Sequence, residues 1–86
     1  MNSMISPQHK AKIKWHCRRG MLELDLLLNQ FLTRYFDDLT EEQVGSFEQL
    51  LEFSDPELYA VLLGNKQPED RSLKEIVKLI KFHHHS

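Results

Sequence analysis

Apolar residues recur along this chain at spacings of three and four, the period that lines one side of an α-helix. Glycines and prolines cut the pattern into short segments. Ser6-Pro7 offers an N-cap followed by a proline at the first helical position, so a helix is predicted from there to about Arg19. It places Ala11, Trp15 and Arg18 on one side and Ile13 and Cys17 on a second. Gly20 is positioned to end this helix in the left-handed conformation. A second helix, about 21–36, carries Met21, Leu24, Leu28, Phe31 or Leu32, and Tyr35 at helical spacing. Leu22, Leu26 and Leu27 widen that stripe, and so broad a girth predicts burial against several neighbours. Thr40-Glu41-Glu42-Gln43 reads as a capping box opening a third helix, with Val44, Phe47, Leu50 and Leu51 inward and an end near Phe53. Asp55-Pro56-Glu57 reads as the N-cap, first-turn proline and first-turn acid of a fourth, running through Leu63 and ended by Gly64-Asn65. After Pro68, Ser72-Leu73-Lys74-Glu75 begins a fifth, where Leu73, Ile76, Val77 and Ile80 form an i, i+3, i+4, i+7 stripe. No segment alternates apolar and polar well enough to predict a strand. The expected fold is all-α, a compact bundle of about five short helices with short connections.

Size narrows what such a bundle can do. The 86 residues make one domain over 1–86, with 1–6 and 82–86 expected as flexible ends. A domain this small buries about 60% of the surface its unfolded chain exposes. A deep active site would compete with the core for the same apolar residues, so function is expected on an outer face. A composition 41% hydrophobic and 28% charged is that of a folded chain. The net charge of −2 conceals an asymmetry. Lys10, Lys12, Lys14, Arg18 and Arg19 precede Gly20 with no acid among them, whereas the acids of 20–70 face only Arg34 and Lys66. Arg71, Lys74, Lys78 and Lys81 turn the end basic again. Such a dipolar chain suits a charged protein surface better than a nucleic-acid duplex; RNA binding through the basic first helix would show a steep salt dependence.

The single cysteine, Cys17, excludes an internal disulfide and fits a reducing compartment. It reads as a small buried helical residue rather than a nucleophile. No apolar run approaches the ~18–20 residues of a membrane span, and the N-terminus lacks a signal-peptide or presequence pattern. A cytoplasmic protein without membrane insertion is expected, and a monomer, because the core needs most of the apolar side chains.

Local chemistry argues against an enzyme. There is no nucleotide-binding glycine loop, zinc-ligand spacing or catalytic triad pattern. Asp37, Asp38, Glu41 and Glu42 read as a solvated helix-start cluster rather than a metal site. His9 and His16 have no acidic orienting partner nearby in sequence, and His83-His84-His85 reads as a flexible end. What stands out is the junction Arg18-Arg19-Gly20-Met21-Leu22-Glu23-Leu24-Asp25. Arg19 and Glu23 are spaced i, i+4 and would gain a few tenths of a kcal/mol as an intrahelical pair, but Gly20 lies between them at a helix break. The alternative is a shallow contact surface, where a missing side chain flanked by opposite charges lets another protein's backbone approach.

At these residues the chain resembles the bacterial succinate dehydrogenase FAD assembly factors, which are related to a mitochondrial assembly factor. Their Arg-Gly-x-x-Glu signature stands here as Arg19-Gly20-Met21-Leu22-Glu23. The match extends to Trp15, Cys17, Arg18, Leu24 and Asp25, and downstream to Leu50-Leu51, Asp55-Pro56-Glu57-Leu58 and Pro68. Val61 departs from it, taking a position where the family often has a tryptophan, and this implies altered packing or a changed contact rim. The resemblance implies a five-helix bundle that binds the flavoprotein subunit of succinate dehydrogenase, and often that of fumarate reductase. It implies promotion of covalent FAD attachment to a histidine of that subunit, with the FAD belonging to the client and no catalytic group from this chain. Arg18, Arg19, Gly20, Glu23 and Asp25 are then the expected partner-binding residues, with Gly20 allowing close approach. A second expectation, from relatives described as antitoxin-like, is a regulator that pairs with an inner-membrane toxin.

Overall fold

Helix boundaries follow from local capping. The computed structural model describes residues 6–84. Ser6 Oγ accepts a hydrogen bond from the His9 N–H at 3.1 Å and opens α1, Pro7–His16. Thr40 and Gln43 form the reciprocal box that opens α3, Glu41–Leu50. Between them run α2, Leu22–Tyr35, and one turn of 3₁₀ helix, Phe36–Asp38. The remaining helices are α4, Asp55–Leu62, and α5, Arg71–His84. Asp70 Oδ1 accepts from the Ser72 N–H at 2.8 Å and caps the start of α5.

Two caps differ from expectation. The helix α1 stops at His16, and Gly20 is not left-handed, since no described glycine has a positive φ. The last turn instead tightens: the Cys17 N–H reaches the carbonyls of Ile13 and Lys14, and the Arg18 N–H reaches that of Trp15. Those bonds satisfy the helix end without a left-handed residue. At α4 the cap is Ser54, not Asp55. Ser54 Oγ accepts from the Glu57 N–H while Glu57 Oε1 accepts from the Ser54 N–H. The Asp55 carboxylate is thereby free for another partner.

The α5 stripe of Leu73, Ile76, Val77 and Ile80 is buried as predicted and packs along α3, with further contact to α2 and α4. Phe31 of α2 and Phe47 of α3 meet at the centre with rings 5.8 Å apart. Val44, Phe47, Leu50 and Leu51 point inward from α3 and its end, and Leu58, Val61 and Leu62 from α4. Gly64 ends α4 because the chain folds back on it; a Cβ there would lie 2.8 Å from the Ala60 carbonyl oxygen. The helix α5 continues through 82–84, and the His83 ring stacks on Tyr35 at 3.7 Å. The rest of the expected flexible ends, 1–5 and 85–86, lies outside the described residues.

The broad girth of α2 is not buried all round. Leu24, Leu27, Leu28, Phe31 and Leu32 face the core, whereas Met21, Leu22 and Leu26 are exposed. Helical geometry accounts for this. Once Leu24, Leu28 and Phe31 define the inner face, Leu22 and Leu26 fall opposite, beside Asn29 and Thr33. The first helix is lightly anchored: Ile13 is its one buried residue, followed by buried Cys17. Polar pairs supplement that hold, His9 Nε2 with Glu48 Oε2 at 2.9 Å and Lys10 Nζ with Asp37 Oδ1 at 3.3 Å.

Candidate partner-binding surface

Beyond the Cys17 cap the chain turns from α1 into α2, and Arg19 is directed inward by that turn. Its Nε donates to Asp55 Oδ1 at 2.8 Å, and Nη1 donates to the carbonyls of His16 at 3.1 Å and Leu51 at 3.0 Å. Nη2 donates to the Phe53 carbonyl at 2.6 Å. Leu51 and Phe53 lie just past the end of α3, where helical carbonyls lack intrahelical donors. The rigid guanidinium fork supplies several donors at once, so Arg19 closes the end of α3 from a distant part of the chain. Its side chain retains 13% exposure.

The second oxygen of Asp55 completes the arrangement. Oδ2 accepts from the Gly20 N–H at 2.9 Å, and a Cβ on Gly20 would lie 3.2 Å from that oxygen. A side chain at this position would crowd the Asp55 oxygen by a few tenths of an ångström, whereas the backbone angles of Gly20 call for no glycine. The hydrogen bond from Arg19 and those from the Gly20 and Met21 backbone hold the Asp55 carboxyl below its ordinary range, against a smaller desolvation effect. Arg19 does not pair with Glu23, which is exposed and makes no hydrogen bond or ion pair among the described residues. Arg18 is exposed as well, with its guanidinium 5.6 Å from the centre of the Trp15 ring. Asp25 is half-buried and accepts from Asn29 Nδ2 through both its carboxylate and its carbonyl. The structure thus gathers Arg19 and Gly20 onto Asp55, while Arg18 and Glu23 point to solvent.

Close to this clamp in the chain are three of the four most exposed large apolar residues among those described, Trp15 at 67%, Leu22 at 70% and Leu26 at 54%, the fourth being Phe82 of α5 at 67%. Tyr59, also exposed, sits one turn after Asp55 on α4. Asp55, Leu22 and Leu26 are absent from the sequence-based set of binding residues. Two signals pointed to them. The Ser54-x-x-Glu57 spacing already provides the α4 cap, and the phase of the α2 stripe turns Leu22 and Leu26 outward. Val61 is 1% exposed, so the departure there is one of packing and not of a contact rim.

Burial pushes the Cys17 thiol up to about 12, with the Arg19 charge opposing and Asp25 reinforcing the rise. Among the described residues no three His, Cys, Asp or Glu side chains converge as a metal site. His9 does have an acidic partner, Glu48, which sequence distance concealed, but it lies on the α1–α3 contact away from the junction. What the geometry offers is a rigid turn presenting apolar and charged side chains.

Residues 11–84 match the family described as the flavinator of succinate dehydrogenase. The FAD assembly factor SdhE of Legionella pneumophila (strain Paris) is 50% identical over 74 residues, covering 86% of this chain and 92% of that protein. Its counterpart in Coxiella burnetii is 46% identical over 78 residues, 91% of this chain and 95% of the relative. The one in Vibrio cholerae is 44% identical over 80 residues, 93% of each. The solution structure of a UPF0350 protein superimposes with a TM-score of 0.81 at 43% identity, over 95% of this chain and 87% of that one. Likeness at this level, running from α1 through α5 and across the Arg19–Gly20 turn, places the chain in the succinate dehydrogenase flavinator family.

Proposed function

We propose that this chain binds the flavoprotein subunit of succinate dehydrogenase, and that of fumarate reductase as a second client, and promotes covalent attachment of FAD. The observation that carries the reading is the exposure of Trp15, Leu22 and Leu26 beside the Arg19–Gly20 turn. In so small a domain, large apolar side chains grouped along one short stretch are a docking feature. Arg18, Glu23 and Asp25 supply the polar rim, and Gly20 keeps the turn low enough for a partner to approach. The FAD belongs to the client, and this chain contributes no reacting group. It acts as a cytoplasmic monomer; no described helix is long and apolar enough to cross a membrane.

Binding accelerates flavinylation by holding the client in a state where its own histidine and the flavin are aligned. Selective affinity for that state shifts the client's population toward it, and alignment of reacting groups lowers a barrier by about several kcal/mol. The test is co-expression of the flavoprotein with and without this chain, read as covalent flavin fluorescence in denaturing gels. The chain should raise covalent flavin several-fold, and Glu23→Ala or a Leu22→Ser, Leu26→Ser pair should reduce that gain. Equal fluorescence without the chain, with an inner-membrane toxin as its captured partner, would favour the regulatory reading instead.

A further inference from the structure

We infer that Asp55 is a positioning residue for partner recognition, dividing Arg19-Gly20-Met21-Leu22-Glu23 into a clamped half, Arg19 and Gly20, and a presented half, Leu22 and Glu23. The inference rests on the docking reading above and assigns separate work to each part of that surface. Asp55 holds two elements with its two oxygens, the Arg19 side chain on Oδ1 and the Gly20 backbone on Oδ2. Arg19 in turn holds the carbonyls of His16, Leu51 and Phe53. Releasing Arg19 to a partner would strand those carbonyls and leave the Asp55 carboxylate unpaired, so its charge is spent inside the chain.

The presented half has the opposite character. Met21 caps α2 in an extended conformation with no side-chain hydrogen bond, and Gly20 immediately precedes it. Fixing the Gly20 N–H on Asp55 therefore fixes the direction in which the first turn of α2 leaves the junction. That turn carries Leu22 and Glu23 into solvent, Glu23 without a hydrogen bond or ion pair among the described residues. A pre-aimed turn loses less freedom on binding than a mobile one, and affinity rises accordingly. Asp55 thus shapes the contact without making it.

Amide hydrogen exchange of the isolated chain, combined with titration of the purified flavoprotein, separates these roles. Asp55→Asn keeps the size of the side chain but replaces one acceptor by a donor, which opposes either Arg19 Nε–H or the Gly20 N–H. Exchange at Gly20 and Met21 should quicken by about tenfold, while the core amides of Leu28 and Phe47 stay unchanged. Affinity for the flavoprotein should fall by about tenfold, and excess variant should restore covalent flavin to the wild-type level. Glu23→Gln should weaken binding with exchange untouched. Gly20→Ala, which crowds Oδ2 and also the partner's approach, should reproduce the local exchange change together with a loss of affinity; its exchange readout serves if Asp55→Asn does not fold. Unchanged exchange at position 20 in both Asp55→Asn and Gly20→Ala, or unchanged affinity in a variant whose junction has loosened, overturns the positioning role. A wild-type chain that fails to bind the flavoprotein overturns the docking reading by itself.

Discussion

Cys17 lies two positions from a guanidinium, a setting that lowers a thiol pKa when the sulfur is accessible. Here burial is the larger effect and pushes the thiol up to about 12. At pH 8 the thiolate is then about one part in ten thousand. Iodoacetamide should leave the native chain unmodified over an hour and label it fully in denaturant, as read by intact mass. Rapid native labelling would show that α1 opens readily. Asp55 behaves in the opposite sense. Its carboxyl is depressed in the folded state, so it contributes stability at pH values above its unfolded pKa of about 3.9 and loses it as pH falls through the folded value. Melting temperatures of the wild type and Asp55→Asn should differ by a constant amount above about pH 5 and converge below about pH 4. A gap that persists unchanged at pH 2 would mean the carboxylate charge is not what the clamp uses.

At the scale of elements, much was written locally. Capping boxes, the α5 stripe and the inward face of α3 depend on residues three or four apart, and the chain states them directly. Ser54→Ala removes the hydroxyl half of the α4 box while the backbone N–H of residue 54 can still reach Glu57 Oε1, and it should lower stability by about 1 kcal/mol, or roughly 4–8 °C in melting temperature for a domain of this size. The clamp was not legible in the same way, because Arg19 and Asp55 are brought together only by the packing of α2 against α4. The i, i+4 relation of Arg19 to Glu23 was visible but gave the wrong partner. Gly20 was readable as a break, yet what a side chain there would crowd is an oxygen from residue 55, and no left-handed backbone angle is involved. The outward phase of Leu22 and Leu26 could be computed from the stripe, but abundance of leucine suggested burial all round. Replacing both by serine should leave stability within about 0.5 kcal/mol while weakening client binding. A large loss of stability would show that these leucines belong to the core after all.

At the scale of the molecule, folding changes what the charge asymmetry can do. Of the cations that precede Gly20, Lys10 pairs with Asp37 and Arg19 is held inside by Asp55. Lys12, Lys14 and Arg18 remain exposed, a thin basic surface compared with the run that the sequence displays. Were they to bind phosphates, the slope of log affinity against log salt would reach about −3 at most. An interface centred on Trp15, Leu22 and Leu26 responds differently, since apolar burial is indifferent to modest salt and rim charges act chiefly on the association rate. Titration of the flavoprotein from 50 to 500 mM salt should therefore weaken affinity by less than about tenfold, with the change carried by slower association. Arg18→Ala should flatten even that dependence, and Leu22→Ser should lower affinity equally at every salt concentration. Loss of nearly all binding by 200 mM salt would move the interface from the apolar edge of α2 to the basic helix α1, and the clamp at Asp55 would then be aiming a turn that no partner reads.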